Sequence, residues 1–240
     1  MNKNGTGYYS MESEIEKTIE YNNSWIVYFD ILGFRERVIK SSYNQINLFI
    51  LFEDYELILK EIREKTSVYK NVNVGHAWFS DTFLIFSKDN SIQSYVILLQ
   101  CATLLMEKLL YKQIPMRGAI SFGQMIIDEE KKIYMGPALI DAYKYAEDQN
   151  WINFVITPSA KAEIIKNGLN PSHHNFTENE SCFKNLSPLD TYSYTYCRGS
   201  ANFDSPHIRN LESMKKTVPN EVKIKYDSTI NLIKKCWRKI

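Results

Sequence analysis

The chain has 240 residues, 44% of them apolar and 24% charged, which suits one well-buried domain with embellishments or at most two small ones. Its net charge of +1 gives no general electrostatic drive toward nucleic acid or an anionic membrane. Cys101, Cys182, Cys197 and Cys236 are scattered without zinc-type spacing, the N-terminus has no signal-type apolar core, and no membrane span is read, so a reduced, cytoplasmic protein is expected.

Residues 1–23 read as a polar arm with a short helix around 14–21. Residues 25–31, WIVYFDI, are apolar, aromatic and β-branched, and predict a buried strand. That strand delivers Asp30 into the turn Ile31-Leu32-Gly33-Phe34, which opens a helix. An aspartate at the end of a buried strand needs an ion pair, hydrogen bonds or a cation. Backbone amides at a helix start attract anions, so this carboxylate and turn suit a divalent cation held against a polyphosphate. Arg35 and Arg37 follow, either on a solvated helix face or against phosphate.

Residues 43–65 continue helically, and NVNVGHAWFSDTFLIFSKD then gives two extended runs around Phe79-Ser80-Asp81, a hairpin with a polar tip. Asp89-Asn90-Ser91 cap an apolar helix whose Tyr95, Leu99, Ala102, Met106 and Leu109 recur at core spacing. After Pro115, MRGAISFGQMII reads as a strand and IYM as its return; Gly136-Pro137 starts a helix through 138–147. WINFVIT is a strand, residues 158–169 a helix, 169–190 a polar loop and DTYSYTYC a strand. Residues 205–240 are basic and helical in pattern, fitted more to packing or a dimer contact than to a membrane anchor. The whole reads as one α/β (α+β) domain over 24–200 with a ferredoxin-like β-α-β-β-α-β core, and a helical C-terminal extension over 201–240.

Asp81 alone is a turn former. In a ferredoxin-like sheet, however, the first strand neighbours the hairpin, so Asp30 and Asp81 are expected to converge. Two carboxylates beside an amide-rich turn form a two-metal phosphoryl-transfer site.

FDILGF, FSDTFLIF about fifty residues later, MRGAISFG and YMGPALIDAYKYAE together resemble the class III nucleotidyl cyclase catalytic domain over roughly residues 24–157. The resemblance implies that Asp30 and Asp81, with the carbonyl of Ile31, bind two Mg²⁺ or Mn²⁺ ions. It implies that the amides of Leu32, Gly33 and Phe34 hold the triphosphate, and that Arg117 has a structural or phosphate role. It also implies a homodimer with its sites at the interface and a nucleoside triphosphate substrate, with no nucleic-acid partner.

The departures are informative. The family's purine-reading Lys and Asp fall on Ala77 and Ile133, which cannot hydrogen-bond a base. The family's helix Asn and Arg fall near Ile140 and Lys144, with Asp141 and Tyr145 one step on; Lys144 can supply the catalytic charge, as a point donor in place of a planar fork. Retained metal carboxylates with a rebuilt base pocket resemble the pyrimidine (uridylate or cytidylate) cyclases of bacterial Pycsar anti-phage systems. That resemblance implies conversion of UTP, preferred over CTP, to a cyclic nucleotide read by a separate effector. The alternative is an inactive cyclase-fold protein that senses nucleotide or scaffolds a partner.

Overall fold

Strand β1 (Asn22–Ile31) is central and buried on both faces. Trp25, Val27, Phe29 and Ile31 enter the larger core; Ile26 and Tyr28 point to the opposite face. This double burial is why the segment reads as an unbroken apolar run. The computed structural model describes residues 22–42, 74–172, 175–196 and 205–237, with positions 53, 56, 57, 60, 61 and 64. The helix expected over 14–21 and most of that over 43–65 lie outside the described residues.

β1 pairs antiparallel with β3 (Thr82–Ser87) on one side and β4 (Met116–Asp128) on the other, and β2 (Val74–Phe79) lies outside β3. The order β2-β3-β1-β4 is the expected ferredoxin-like core. The sheet continues through β6 (Phe154–Ile156), β8 (Tyr192–Tyr194) and β7 (Phe176–Glu178), while β5 (Ile133–Met135) pairs with the far end of β4. Helix α1 (Phe34–Ser42) follows β1, and α2 (Ile92–Tyr111) follows the hairpin, with Ser91 as its N-cap. Then come α3 (Pro137–Asp148), α4 (Pro158–Lys166), α5 (Pro206–Lys215) and α6 (Asn220–Trp237).

α2 supplies the larger core, together with Ile164 of α4, Leu211 of α5 and Ile230 and Ile233 of α6. α3 covers the other face through Ala138, Ala142 and Ala146, small side chains that let the helix lie close to the sheet. On the larger-core face Gly118 of β4 stands opposite Phe29, where a Cβ would lie 2.1 Å from the ring.

Several expectations need correction. α2 is long and apolar enough to span a membrane, unlike the reading that no segment is, but 67% of its apolar window is buried inside the protein. The strand expected over WINFVIT shortens to Phe154–Ile156, because the Trp151 indole bonds Gln149 and the Ile152 amide bonds Thr229 Oγ1 instead of a strand neighbour. The loop over 169–190 contains β7, whose three residues are too short to show a period. The C-terminal helical stretch divides in two ahead of Pro219, which has no N–H to continue a helix.

Candidate active site

Asp30 follows Ile26 and Tyr28 on the strand face that α3 covers. Register places it directly opposite Arg117 of β4, so the two side chains leave the same face as neighbours. Arg117 Nε donates to Asp30 Oδ2 at 2.9 Å, Nη2 pairs with Glu147 Oε1 at 2.6 Å, and Nη1 donates to the Glu147 carbonyl at 2.7 Å. The Arg117 and Asp30 side chains are 9% and 14% exposed, so this guanidinium fork bridges β1 and the end of α3 largely out of water. Burial pushes the Asp30 carboxyl above its ordinary range, Arg117 opposes that, and Glu147 and Asp81 add to it.

Asp81 sits in the two-residue turn between β2 and β3. Ser80 takes a left-handed φ of +56°, and its carbonyl accepts from the Trp78 indole at 2.6 Å, while Trp78 stacks on Phe83. The Ile31 amide donates to the Asp81 carbonyl at 3.0 Å, which ties the hairpin tip to the end of β1. Asp30 and Asp81 are therefore adjacent in space, close enough for each charge to reach the other.

Gly33 adopts a φ of +70°, a conformation that L side chains rarely take, and this lets α1 start immediately after the strand. The Leu32 N–H, expected at phosphate, donates to the Pro115 carbonyl at 2.9 Å. The Gly33 and Phe34 amides make no such bond among the described residues and stand at the open end of α1.

The remaining expected residues are not gathered around Asp30 within the chain. Ala77 faces Leu84 across the hairpin and packs on the α3-side core; Ile133 is 37% exposed on β5. Lys144 is exposed on α3 and makes no hydrogen bond or ion pair with Asp30 or Asp81. Beside it, Ile140 is 66% and Tyr143 50% exposed, and Phe79 of the hairpin is 83% exposed. These three, with Tyr28, Thr82, Leu84 and Leu139, line an apolar cleft of about 360 Å³. Tyr28 and Tyr143 meet edge to face there, and burial pushes the Tyr28 hydroxyl up to about 12.

Two residues escaped the sequence reading. Glu147 anchors Arg117 from the end of α3. Lys225 of α6 lies within electrostatic range of Arg117, Asp30 and Glu147, with burial holding its ammonium below the usual lysine range. Neither carries a local signal; each meets the site only through packing.

Two carboxylates and a main-chain carbonyl are hard oxygen donors, a fit for Mg²⁺ or Mn²⁺ that keeps water and substrate phosphate as further ligands. Among the described residues no group of three or more His, Cys, Asp or Glu is placed to hold a metal ion.

No family model matches the chain, and no curated protein does. Solved structures do. The chain is similar to the monomeric guanylyl cyclase domain of the RhoGC fusion protein from the aquatic fungus Blastocladiella emersonii, with a TM-score of 0.51, 13% identity, and 73% of this chain and 96% of that one covered. It is similar to the catalytic core of a rhodopsin-guanylyl cyclase with converted specificity in complex with ATPalphaS, at a TM-score of 0.52, 14% identity, and 73% and 97% coverage. An adenylate/guanylate cyclase/hydrolase from Silicibacter pomeroyi gives 0.50, 14%, and 74% and 98%. The protein thus has the fold of class III adenylyl and guanylyl cyclase catalytic domains.

Proposed function

We propose that the chain is a metal-dependent nucleotidyl cyclase acting on a pyrimidine nucleoside triphosphate, UTP in preference to CTP. The observation that carries this reading is the Asp30–Asp81 pair, joined through the Ile31–Asp81 main-chain bond beside the open amides of Gly33 and Phe34. Asp30, Asp81 and the Ile31 carbonyl would hold Mg²⁺ or Mn²⁺, which supplies a lowered pKa at the ribose 3′-hydroxyl and charge neutralisation at the α-phosphate. Arg117, fixed by Glu147, keeps a permanent cation beside Asp30, and the Gly33 and Phe34 amides offer donors to phosphate oxygens. The 3′-oxygen forms its bond to the α-phosphorus, the bond to pyrophosphate breaks, and the hydroxyl proton leaves to water.

The pyrimidine preference is supported by Ala77 and Ile133, whose side chains offer a purine nothing to bond. A homodimer is supported by the exposed apolar cluster of Phe79, Ile140 and Tyr143, which places Lys144 on a face that a second copy would cover. In such a dimer the cyclic product would be a second messenger in anti-phage defence, read by a separate effector. One feature favours an inactive, nucleotide-sensing protein instead: the resemblance sets the family's transition-state Asn near Ile140, whose side chain has no hydrogen-bonding group. Incubating purified protein with Mn²⁺ and each of the common nucleoside triphosphates, then separating products, decides between them. Cyclic UMP or CMP that disappears in Asp30→Ala supports the proposal; tight nucleotide binding without turnover supports the sensor.

A further inference from the structure

A cavity of about 1140 Å³ opens beside the glycine turn. Leu32 and Gly33 form one side, the connection from α2 to β4 a second, and the elbow between α5 and α6 a third. Arg37, Lys112, Lys216 and Lys225 line it, against the carboxylates of Glu36 and Glu221. Both acids are exposed, as are Lys112 and Lys216, whereas Arg37 and Lys225 are partly buried within it. Arg37 Nη2 donates to the Gln113 carbonyl at 2.6 Å, which fixes its guanidinium at the wall and leaves other N–H groups to give.

Lys225 is the informative residue. Its ammonium makes no hydrogen bond or ion pair with any described residue, although it stands near Asp30, Arg117 and Glu147. A partly buried ammonium without a bonded anion is costly, and a bound anion removes that cost. Leu32 and Gly33 line the cavity together with these cations, so the positive side chains stand beside the glycine turn at the start of α1.

We propose that this cavity binds the β- and γ-phosphates of the nucleoside triphosphate, and that the C-terminal helices of the same chain supply its cations, Lys225 foremost. The identity of the ligand as a nucleotide rests on the cyclase reading; affinity for a polyphosphate rests on the cavity alone. Lys225 then acts as a point charge on phosphate oxygens, with Arg37 held in place at the wall and Lys112 and Lys216 at the mouth. The C-terminal helices thereby become part of the substrate site.

Isothermal titration calorimetry with inorganic tripolyphosphate in metal-free buffer tests this without any turnover. The Lys225→Met variant keeps the packed stem and loses the charge, and should bind about tenfold or more weakly. Lys225→Arg should retain most of the affinity, and Lys166→Ala on α4, which among the described residues pairs only with Glu163, should be unchanged. Thermal unfolding confirms that each variant is folded. No tripolyphosphate binding by the parent protein, or equal affinity in folded Lys225→Met, overturns the inference whether or not a nucleotide is cyclised. Lys225-dependent binding by a protein that cyclises no nucleotide supports the cavity and removes the cyclase reading.

Discussion

Arg117→Met isolates the charge at the centre of the site while keeping most of the side-chain volume. In the parent protein Arg117 neutralises Asp30 at 2.9 Å with both side chains largely buried. Removing one partner of such a pair costs about 3–5 kcal/mol where the remaining charge stays ionised. Asp30 escapes part of that cost by taking up a proton. From an ordinary carboxyl pKa of about 3.9, protonation at pH 7 costs roughly 4 kcal/mol and at pH 5 roughly 1.5 kcal/mol, which caps the loss at each pH. The sign follows from proton binding. In the variant the folded-state pKa of Asp30 rises further above its unfolded value, because burial, Glu147 and Asp81 already push it up and the opposing cation is gone. The folded state then holds a proton that the unfolded chain has released, and stability falls as pH rises through that window. Thermal unfolding in EDTA should show a Tm about 6–16 °C below the parent at pH 7, given about 2–4 °C per kcal/mol at this size, and a clearly smaller gap at pH 5. An equal gap at both pH values, or none, would refute the argument that Arg117 is there to neutralise Asp30.

Gly118→Ala would place a Cβ 2.1 Å from the Phe29 ring and 2.7 Å from the Tyr28 carbonyl oxygen, so a loss of about 1–3 kcal/mol or more is expected in the urea midpoint; an unchanged midpoint would contradict the β1–β4 register. Cys101 is 3% exposed and burial pushes its thiol up to about 12, so peptide mapping after alkylation should find it protected in native protein and labelled in urea. Native labelling would argue against the placement of α2 in the core. Phe79→Lys with Ile140→Lys charges the exposed apolar cluster, and light scattering should report a shift from dimer to monomer. A dimer that persists in the double variant places the contact elsewhere.

The parts of this site that were legible in the sequence are those made within one segment. The run from Trp25 to Ile31 announced a buried strand, and Gly33 announced the turn, because an apolar run and left-handed backbone are local properties. The hairpin around Ser80-Asp81 was local as well, and the ferredoxin-like order then brought its tip to β1. The Arg117–Asp30 contact was not legible. It spans 87 positions and depends on register, and a slip of one residue would turn Arg117 to the other face. Glu147 reaches Arg117 only because α3 lies close over its alanines, and Lys225 arrives from a helix that the pattern described merely as basic. The Leu32 amide shows the converse. Its sequence context suggested a free donor, whereas the chain around Pro115 supplies an acceptor that no local rule predicts.

The most direct test of the central claim, that Asp30 and Asp81 form the metal-carboxylate pair of a nucleotidyl cyclase, is product analysis with Mn²⁺ and separate nucleoside triphosphates for the parent, Asp30→Asn and Asp81→Asn. The parent should give a 3′,5′-cyclic pyrimidine nucleotide and pyrophosphate, with both variants losing about a hundredfold or more of the rate while remaining folded. Parent protein that forms no cyclic product from any triphosphate, or a folded Asp30→Asn variant that matches the parent, would contradict it.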